Sequence, residues 1–379
     1  MDCNHVFEFK FKRLFVVFAL FSAFLLNSLS SSAQENGSTE QPDTAVVERM
    51  VPIAIPIEAV ADDNATEEKF NPTQVIMEHI GDSHVWHLWG HTSLPLPVIL
   101  YIPGQGLEMF SSGGFHHGED DVVGKYNTYR LVHDKIKVVN AGEVDEAASE
   151  KVLDFSITKN VASMFLAIAI LLIVFGSMAK AYKKREGKGP RGIQSLLEPF
   201  VLFIRDDIAK PNIGHKYAKF MPYLLTLFFF IWVNNILGLI PIFPGAANVT
   251  GNIALTFVLA MGTLLIVNLN GNKYYWKHIL VPDVPWWLYP IMIPVELIGI
   301  ISKPFALMVR LFANITAGHI IVLSLISLIF IFKTLAIAPV SVAFVMFMYV
   351  LELLVAFLQA FIFTLLTALF IGMAVDEHH

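Results

Sequence analysis

Besides Lys303, four charged or histidine residues lie inside two long apolar stretches near the C-terminal end of the sequence. Glu296, Arg310 and His319 belong to the first stretch, and Glu352 belongs to the second. An arginine at the centre of a membrane span costs about 2.5–3.5 kcal/mol on insertion scales, so such groups usually mark an ion path or a buried pair. Arginine keeps its proton at all ordinary pH values, whereas the other three groups can exchange one. The set predicts proton transfer inside a membrane.

Helical spacing separates the permanent cation from a titratable group on the first stretch. Asn314 follows Arg310 by four residues and shares its face. Glu296 precedes Arg310 by fourteen residues, nearly four whole turns, and lies on roughly the same face about 21 Å away. His319 follows Arg310 by nine residues, or two and a half turns, and points to a different side.

The partner stretch adds a carboxylate and an amide, because Glu352 and Gln359 are seven residues apart and share a helical face. Simpler explanations for these groups exist. Arg310 could form a structural ion pair with Glu296 or Glu352. His319 and Glu352 could form an ordinary hydrogen bond between helices, and Glu296 could be an acid at the membrane surface. The spacing alone leaves these alternatives open.

Composition places these stretches in a membrane protein. The chain of 379 residues is 55% hydrophobic with a mean hydropathy of +0.60, whereas soluble domains are about 45–50% apolar. Twenty-one of the 32 acidic residues lie between Glu35 and Asp154, and ten of the 26 basic residues lie between Lys180 and Lys219. Cys3 is the only cysteine, so an intrachain disulfide is excluded.

Residues 1–33 have the features of a signal peptide. Three basic residues precede the apolar segment from Leu14 to Leu26, and Ser-Ser-Ala at 31–33 offers a cleavage site. An uncleaved anchor is the alternative, although thirteen apolar residues are short for a span of roughly 20. In either case we expect the part that follows to be exported.

The acidic region contains two predicted parts. Residues 34–70 lack a clear period and are interpreted as a poorly ordered lead-in. Residues 71–155 are predicted to form a small extracytoplasmic domain with some β-strand, because turn residues separate three β-like runs. These runs are 95–103, 126–132 and 135–139.

Histidines in this domain raise the possibility of a metal site. His84, His87 and His91 have a spacing that would suit one helical face, and His116 and His117 follow. Trp and Gly residues in the same stretch do not favour a helix. We therefore prefer a solvated domain, and keep a membrane anchor whose N-terminal domain binds a metal or a partner as an alternative.

The remainder is predicted to be an all-α polytopic membrane domain over 156–375. Its five passes are expected at about 157–180, 219–242, 252–270, 290–332 and 341–375. At 1.5 Å per residue the fourth is roughly 60 Å long, twice the apolar thickness of a bilayer, so the last two helices should be tilted or bent. The amphipathic stretch 193–215 predicts an interfacial helix.

The charge distribution predicts the orientation. A dense basic loop at 180–191 directly follows the first pass, which is typical of the cytoplasmic side. This agrees with an exported N-terminus. We therefore expect a bacterial inner (plasma) membrane protein with its N-terminus outside and its C-terminus in the cytoplasm.

Several segments resemble the subunit a family of F-type ATP synthases. SKPFALMVRLFANITAGH at 302–319 is similar to the family's signature helix, centred on R-L-F-x-N, and LELLVAFLQAFIFTLL at 351–366 to its last helix. FIWVNNILGLIP at 230–241 resembles the family's hairpin, and ANVTGNIALTF at 247–257 the start of the next helix. The resemblance covers about 155–375 in order.

The resemblance implies a role for each matching residue. Arg310 would be the essential arginine that faces the carboxylates of the rotor, with Asn314 and Gln359 beside it. His319 and Glu352 would form the relay of the half-channel that opens outside. Many bacterial members carry the acid first and the histidine second, so the two are exchanged here, as in mitochondrial members.

Other positions match less closely. Glu296 would line the half-channel to the cytoplasm, and Asn235 matches the hairpin asparagine. Gly238 stands where some members have an aspartate, and Met308 where the signature usually has a small residue. Neither departure breaks the core pattern.

The resemblance implies a proton-translocating stator subunit of the Fo sector, whose two offset half-channels couple proton flow to rotation and ATP synthesis. Its expected partners are the rotor ring of subunit c, the peripheral-stalk subunit b, other ATP synthase subunits and lipid. No phosphate loop of the G-x-x-x-x-G-K-[ST] type occurs, so nucleotide chemistry must reside in another chain, and we expect no cofactor and no nucleic acid.

A proton-coupled secondary transporter is the main alternative. The same titratable residues would fit such a carrier, but the sequence has no evident internal repeat of the kind on which many carriers are built. The sequence leaves open whether the ion is H⁺ or Na⁺.

Overall fold

The computed structural model describes residues 72–89, 92–118, 120–132, 134–184, 190–240, 247–282, 284–332 and 337–375. The predicted signal peptide (1–33) and the predicted lead-in (34–70) lie outside the described residues.

The N-terminal part of the described chain is mostly β-structure. It begins with the short helix α1 (Pro72–Ile80), and α2 (Glu146–Ser149) lies between its last two strands. The strands are β1 (Val85–Trp89), β2 (Thr92–Pro95), β3 (Pro97–Ile102), β4 (Gly106–Ser111), β5 (Val122–Val123), β6 (Thr128–Val132), β7 (Lys135–Asn140), β8 (Glu143–Asp145) and β9 (Leu153–Asp154). A strand is present at each of the three predicted β-like runs.

These strands form a two-stranded sheet β1-β2, a three-stranded sheet β4-β3-β9 and a four-stranded sheet β5-β6-β7-β8, all antiparallel. Alternation along β3 buries Val98, Leu100 and Ile102 and turns Tyr101 outward. The three buried side chains belong to one apolar cluster with Phe115, Tyr129 and Val138. The two larger sheets therefore pack face to face around this core.

The C-terminal part is helical. Its helices are α3 (Lys159–Lys184), α4 (Ile193–Phe203), α5 (Lys210–Ile213), α6 (Tyr217–Leu239), α7 (Ile253–Leu269), α8 (Lys273–Leu280), α9 (Tyr289–Phe332) and α10 (Ala338–Val375). A π-helical turn, Ile204–Ala209, joins α4 to α5. Helix α9 continues through Pro294 and Pro304, and its 44 residues span about 66 Å.

Four helical stretches of the described chain are long and apolar enough to cross a membrane: Lys159–Lys184, Ile193–Leu239, Trp286–Phe332 and Ala338–Val375. A fifth crossing results if α7 and α8, which are bent by 102° at a short break, form one span. The fold is therefore mostly helical with four to five membrane helices. Helices occupy all five predicted passes, and the count of five stays a prediction.

The stretch Ile193–Leu239 folds back on itself. The rings of Phe200 and Trp232 have centroids 4.9 Å apart, whereas one continuous helix would separate these residues by about 48 Å. The reversal occurs at Gly214, whose φ of 66° and ψ of −139° suit only glycine. Helix α4, predicted as interfacial, thereby lies beside α6 and α10, because Phe200 also contacts Phe357.

Helix α10 is the centre of the helical part, since it packs against both α6 and α9. One point of close approach is Gly372, where an added Cβ would overlap the carbonyl oxygen of Asn212. Helix α9 also packs against α7 and, near the N-terminal part, against α1. The long helices α9 and α10 are therefore held along most of their contact by surrounding helices.

A buried polar cluster joins the β-structure to the start of α3. Asp82 accepts hydrogen bonds from the Asn160 backbone N–H (3.1 Å) and the Thr158 hydroxyl (2.8 Å). His84 Nε2 lies 3.0 Å from Asp154 Oδ2. Asp82 thus satisfies an N–H of the first turn of α3, which would otherwise lack a partner.

Charge interactions in this cluster shift two pKa values. Burial alone would lower the pKa of His84, but the hydrogen bond and charge of Asp154, together with the charge of Asp82, raise it. Burial would raise the pKa of Asp154, but the hydrogen bond and charge of His84 lower it. Both shifts favour the charged pair.

We predict that this junction loosens at alkaline pH. A raised histidine pKa contributes stability that is present below the ordinary value of about 6.5 and is lost as pH rises through the folded value. The protection factors of the amides at residues 82–85, which compare the measured exchange rate with the base-catalysed rate of an unprotected amide at the same pH, should therefore fall between about pH 6 and pH 9. His84→Gln should remove this dependence, whereas His116→Gln, at an exposed pair with Asp120, should not. An unchanged pH profile in His84→Gln would contradict the assignment.

Candidate functional site

Helices α9 and α10 run antiparallel along the site. Lys303 lies over the ring of Phe370, Asn314 contacts Gln359, and Gly318 contacts Glu352, so the residue numbers rise along one helix as they fall along the other. The contact is mostly apolar, with Leu307, Leu311 and Phe363 buried. It brings most of the predicted site residues to one seam between two helices.

Arg310 lies at the edge of the packed side of α9. Leu307 and Leu311 on one side of it are buried, while Phe305 and Val309 on the other are exposed. Among the described residues, Arg310 forms no ion pair with Glu296 or Glu352. Arg310 is half-buried, and without an ion pair its charge has no counter-ion within the described chain.

Asn314 and Gln359 connect the two helices one turn from Arg310. The Asn314 side-chain amide donates a hydrogen bond of 2.9 Å to Gln359 Oε1. Gln359 is 2% exposed, and its Nε2 has no partner in the described part of the chain. The bond fixes the register of α9 against α10 beside the arginine.

Glu352 is buried against the backbone of α9. It is 8% exposed, and neither carboxyl oxygen has a hydrogen-bond partner among the described residues. An added Cβ at Gly318 would lie 3.1 Å from Glu352 Cδ and would overlap Oε1. Because Gly318 has no side chain, there is room for the Glu352 carboxyl group against α9. Gly318 directly precedes His319 in the sequence.

His319 lies beside the C-terminal end of α6. An added Cβ at Gly238, the position where the resemblance leads one to look for an acid, would lie 3.9 Å from His319 Nε2. Position 238 therefore faces the imidazole. An acidic side chain there would reach the imidazole, and Gly238 supplies none.

Asn235 links three parts of the fold. Its Nδ2 donates to the Ala356 carbonyl oxygen at 3.1 Å, and its Oδ1 accepts from the Thr250 hydroxyl at 2.7 Å. Asn235 is buried, and both ends of its amide are engaged. This arrangement fits a residue that holds α6 against α10.

Glu296 lies apart from the other site residues, as its spacing predicts. It is half-buried, and its charge is close enough to interact with the Tyr275 hydroxyl. Tyr275, Lys303 and Thr263 help to line an open cleft with an empty volume of about 330 Å³ between α7, α8, α9 and α10. Lys303 extends over the Phe370 ring, with Nζ 5.7 Å from its centroid.

Buried polar atoms without a partner in the described chain include three at the seam, which are Glu352 Oε1 and Oε2 and Gln359 Nε2, while others, such as Asn234 Oδ1 and Ser163 Oγ, lie on other helices. Buried polar atoms are normally hydrogen-bonded, so a row of unsatisfied ones needs an explanation. Ionisable and polar groups inside a membrane usually mark an ion or proton path. The seam is therefore the candidate functional site of the described chain.

Two of the histidines considered for a metal site each lie beside a carboxylate, and His91 lies outside the described residues. His84 pairs with Asp154, and His116 Nδ1 lies 2.8 Å from Asp120. No group of three His, Cys, Asp or Glu side chains that could hold a metal ion occurs within the described ranges.

Gly318 and Thr250 carry no charge and were not among the predicted site residues. Gly318 stands four residues after Asn314, so a small residue facing the partner helix was a signal that helical spacing could have provided. The bond from Thr250 to Asn235 joins residues fifteen apart across a turn, which spacing alone does not reveal.

Comparison with known proteins adds family information. A family model described as ATP synthase A chain matches residues 161–372, more than half of the chain. A second model, described as a domain of unknown function, matches residues 75–155. The two matches divide the described chain close to the start of α3.

Three relatives named ATP synthase subunit a illustrate the similarity. The chain is 52% identical to one from Chloroherpeton thalassium over 239 residues, which cover 60% of this chain and 70% of the relative. It is 51% identical over 236 residues to one from Chlorobaculum tepidum, covering 59% and 66%. It is 38% identical over 380 residues to one from Chlorobium phaeobacteroides, covering 98% and 95%.

We predict that Gly318→Ala destabilises the protein by forcing Glu352 to move. Overpacking of this kind costs about 1–3 kcal/mol. The free energy of unfolding in detergent should fall, and the loss should shrink in a Glu352→Ala background, because neighbouring substitutions are not additive.

Gly299→Ala on the same helix is the matched control, since an added Cβ there meets nothing within 4 Å. Equal losses for Gly318→Ala with and without the Glu352 side chain would refute the contact.

Proposed function

This chain belongs to the ATP synthase A chain family, and on that premise we propose that it carries protons past the rotor ring as the stator subunit of the Fo sector. It is a multi-pass membrane protein and a non-catalytic subunit of an ATP synthase complex. The proposed role in proton transfer rests on Arg310, which is half-buried and forms no ion pair within the described chain. Arg310 lies one turn from the Asn314–Gln359 hydrogen bond that joins α9 to α10.

Arg310 would act on the carboxyl groups of the rotor. A rotor carboxyl group in lipid is protonated and neutral, because burial disfavours the charged form. Beside a guanidinium group the carboxylate becomes favourable, so the proton leaves there. The lack of an ion pair for Arg310 within the described chain supports this role, because such a pair would neutralise the charge that acts on the rotor carboxyl group.

Two proton paths would flank Arg310. We assign the relay of the outer path to His319 and Glu352, because the Glu352 carboxyl group lies against Gly318 and imidazole has an ordinary pKa near neutral pH. We assign Glu296 to the cytoplasmic path, since it lies about 21 Å from Arg310 along α9 near the cleft that Tyr275 lines.

The offset between the two paths is what would make rotation obligatory. Arg310 keeps its charge and blocks a direct leak of protons from one path to the other. A proton that enters on one side can leave on the other only after the rotor has carried it round. The membrane potential supplies about 2.3 kcal/mol per charge per 100 mV for this movement.

Supporting residues would hold the geometry. Asn314 and Gln359 fix the register of α9 and α10 next to Arg310, and Asn235 ties α6 to α10. The polar atoms of the seam that lack protein partners would be hydrated as part of the outer path.

We propose a bacterial plasma membrane location with the N-terminal β-structure outside and the C-terminus in the cytoplasm. The basic loop at 180–191 supports this orientation. The rotor ring of subunit c and the peripheral-stalk subunit b are the proposed partners within the complex.

We predict that Arg310→Ala abolishes proton-driven ATP synthesis in membrane vesicles while the complex still assembles, because nothing then ionises the rotor carboxyl groups. Arg191→Ala, which removes an exposed arginine outside the seam, should leave synthesis intact. Coupled synthesis at the normal rate in an assembled Arg310→Ala complex would disprove the assigned role.

We predict that the pair His319→Glu with Glu352→His retains more ATP synthesis than either single substitution. The double variant keeps one imidazole and one carboxyl group across the same two helices, whereas each single variant duplicates one group and lacks the other. ATP synthesis by vesicles under an imposed proton gradient measures this. A double variant no better than the singles would show that the two residues do not form one relay.

A further inference from the structure

One outer face of the β-structure is apolar. In the sheet β4-β3-β9, alternate residues point away from the core, and nine positions form what we call the apolar sheet face. These positions are Pro97, Ile99 and Tyr101 of β3, Leu107, Met109 and Ser111 of β4, and Leu153, Phe155 and Ile157 of β9 and its continuation. None of the nine residues, all of them described, is charged.

The face is a continuous surface because the strand pairing extends beyond β9. The Phe155 N–H donates to the Ile99 carbonyl oxygen at 2.8 Å, and the Ile157 N–H donates to the Pro97 carbonyl oxygen at 3.1 Å. Leu153 pairs with Tyr101. Three rows of side chains, one from each strand, therefore stand side by side.

This face is exposed within the chain. Leu107 is 55% exposed and Met109 is 63% exposed. The alternate residues of β3, in contrast, are buried in the core between the sheets. The apolar side chains of the face lie outside the core between the two larger sheets, so their exposure points to a contact outside the β-structure.

The opposite outer face of the β-structure is charged. On the sheet β5-β6-β7-β8, Arg130 forms a bidentate pair with Asp121, and Lys137 pairs with Glu146 at 2.5 Å. Arg130 and Lys137 are directly opposite each other on neighbouring strands. The β-structure as a whole is thus amphipathic, with one face suited to water and one to an apolar environment.

The apolar sheet face continues directly into the membrane helix α3. Ile157 lies two residues before Lys159, where α3 begins, and the side of α3 away from the protein presents Phe165, Leu172 and Ile173. We propose that the apolar sheet face rests on the surface of the lipid bilayer and penetrates its headgroup region. Tyr101 suits that depth, because its ring is apolar and its hydroxyl polar.

The proposal requires the sheet to lie nearly flat on the bilayer. Leu107 pairs with Tyr101, and Tyr101 pairs with Leu153, so Leu107 lies level with Leu153. Leu153 and Ile157 are four residues apart along β9 and its continuation, which is about 13 Å in a strand. Interfacial elements enter a bilayer by about 5–10 Å. A sheet standing upright on the membrane, with Ile157 at its foot, would therefore leave Leu107 in water. A sheet lying flat brings the side chains of all three strands into the interface. This inference does not depend on the proton path.

Site-directed labels test the proposal in the full-length protein. In a Cys3→Ser background, single cysteines at Leu107, Met109 and, as the matched control, Lys137 are labelled with a nitrobenzoxadiazole fluorophore. The labelled proteins are reconstituted into vesicles of phosphatidylethanolamine and phosphatidylglycerol. Quenching is measured with a doxyl-labelled phospholipid in the bilayer and with iodide on both sides.

We expect the doxyl lipid to quench labels at 107 and 109 several-fold more than the label at 137, and iodide to show the reverse order. Equal iodide quenching at all three positions would overturn the proposal, because the face would then be in water. Protection of 107 and 109 from both quenchers would also overturn it, because protein would then cover the face. Circular dichroism of each labelled protein checks that the β-structure is retained.

Discussion

The antiparallel contact between α9 and α10 is the interaction on which the site depends. Ionisable groups inside a membrane are costly, so they usually face the interior of the protein or a water-filled cavity. Most of the predicted site residues lie at this contact. The Asn314–Gln359 hydrogen bond fixes the register of the two helices. That register determines that Glu352 meets Gly318 and that Arg310 remains at the edge of the packed surface. A shift of one turn would separate the carboxyl group from its space.

The surrounding helices explain how such long helices keep one register. Helix α6 packs on α10, with Asn235 bound to the Ala356 carbonyl oxygen, and the reversal at Gly214 brings α4 and α5 to the same helix. Phe200, Trp232 and Phe357 form ring contacts at that junction. On the side of α9 away from these helices, Phe305 and Val309 near Arg310 are exposed and apolar. In the proposed function, this is the surface that a rotor in the membrane would contact.

Much of the helical fold could be predicted from the sequence, because uninterrupted apolar stretches long enough to span a bilayer have few other solutions. The reversal at Gly214 was not predicted, since it depends on contacts such as Phe200 with Trp232, thirty-two residues apart. The residues of the site followed from charge within apolar stretches and from the family resemblance. The role of Gly318 required the register of two helices, which sequence spacing within one helix does not provide. In the β-structure, β-like runs separated by turn residues predicted β3, β6 and β7, whereas the pairing of β9 with β3 joins residues about fifty positions apart.

The most direct test of the central claim is a structure of the assembled complex in lipid, resolved well enough to show the Arg310 guanidinium group. The account predicts that this group faces an acidic side chain of a neighbouring rotor subunit, with the Asn314–Gln359 bond intact beside it. A guanidinium group that points into lipid, or that is paired with a carboxylate of its own chain with no acidic rotor residue adjacent, would contradict it.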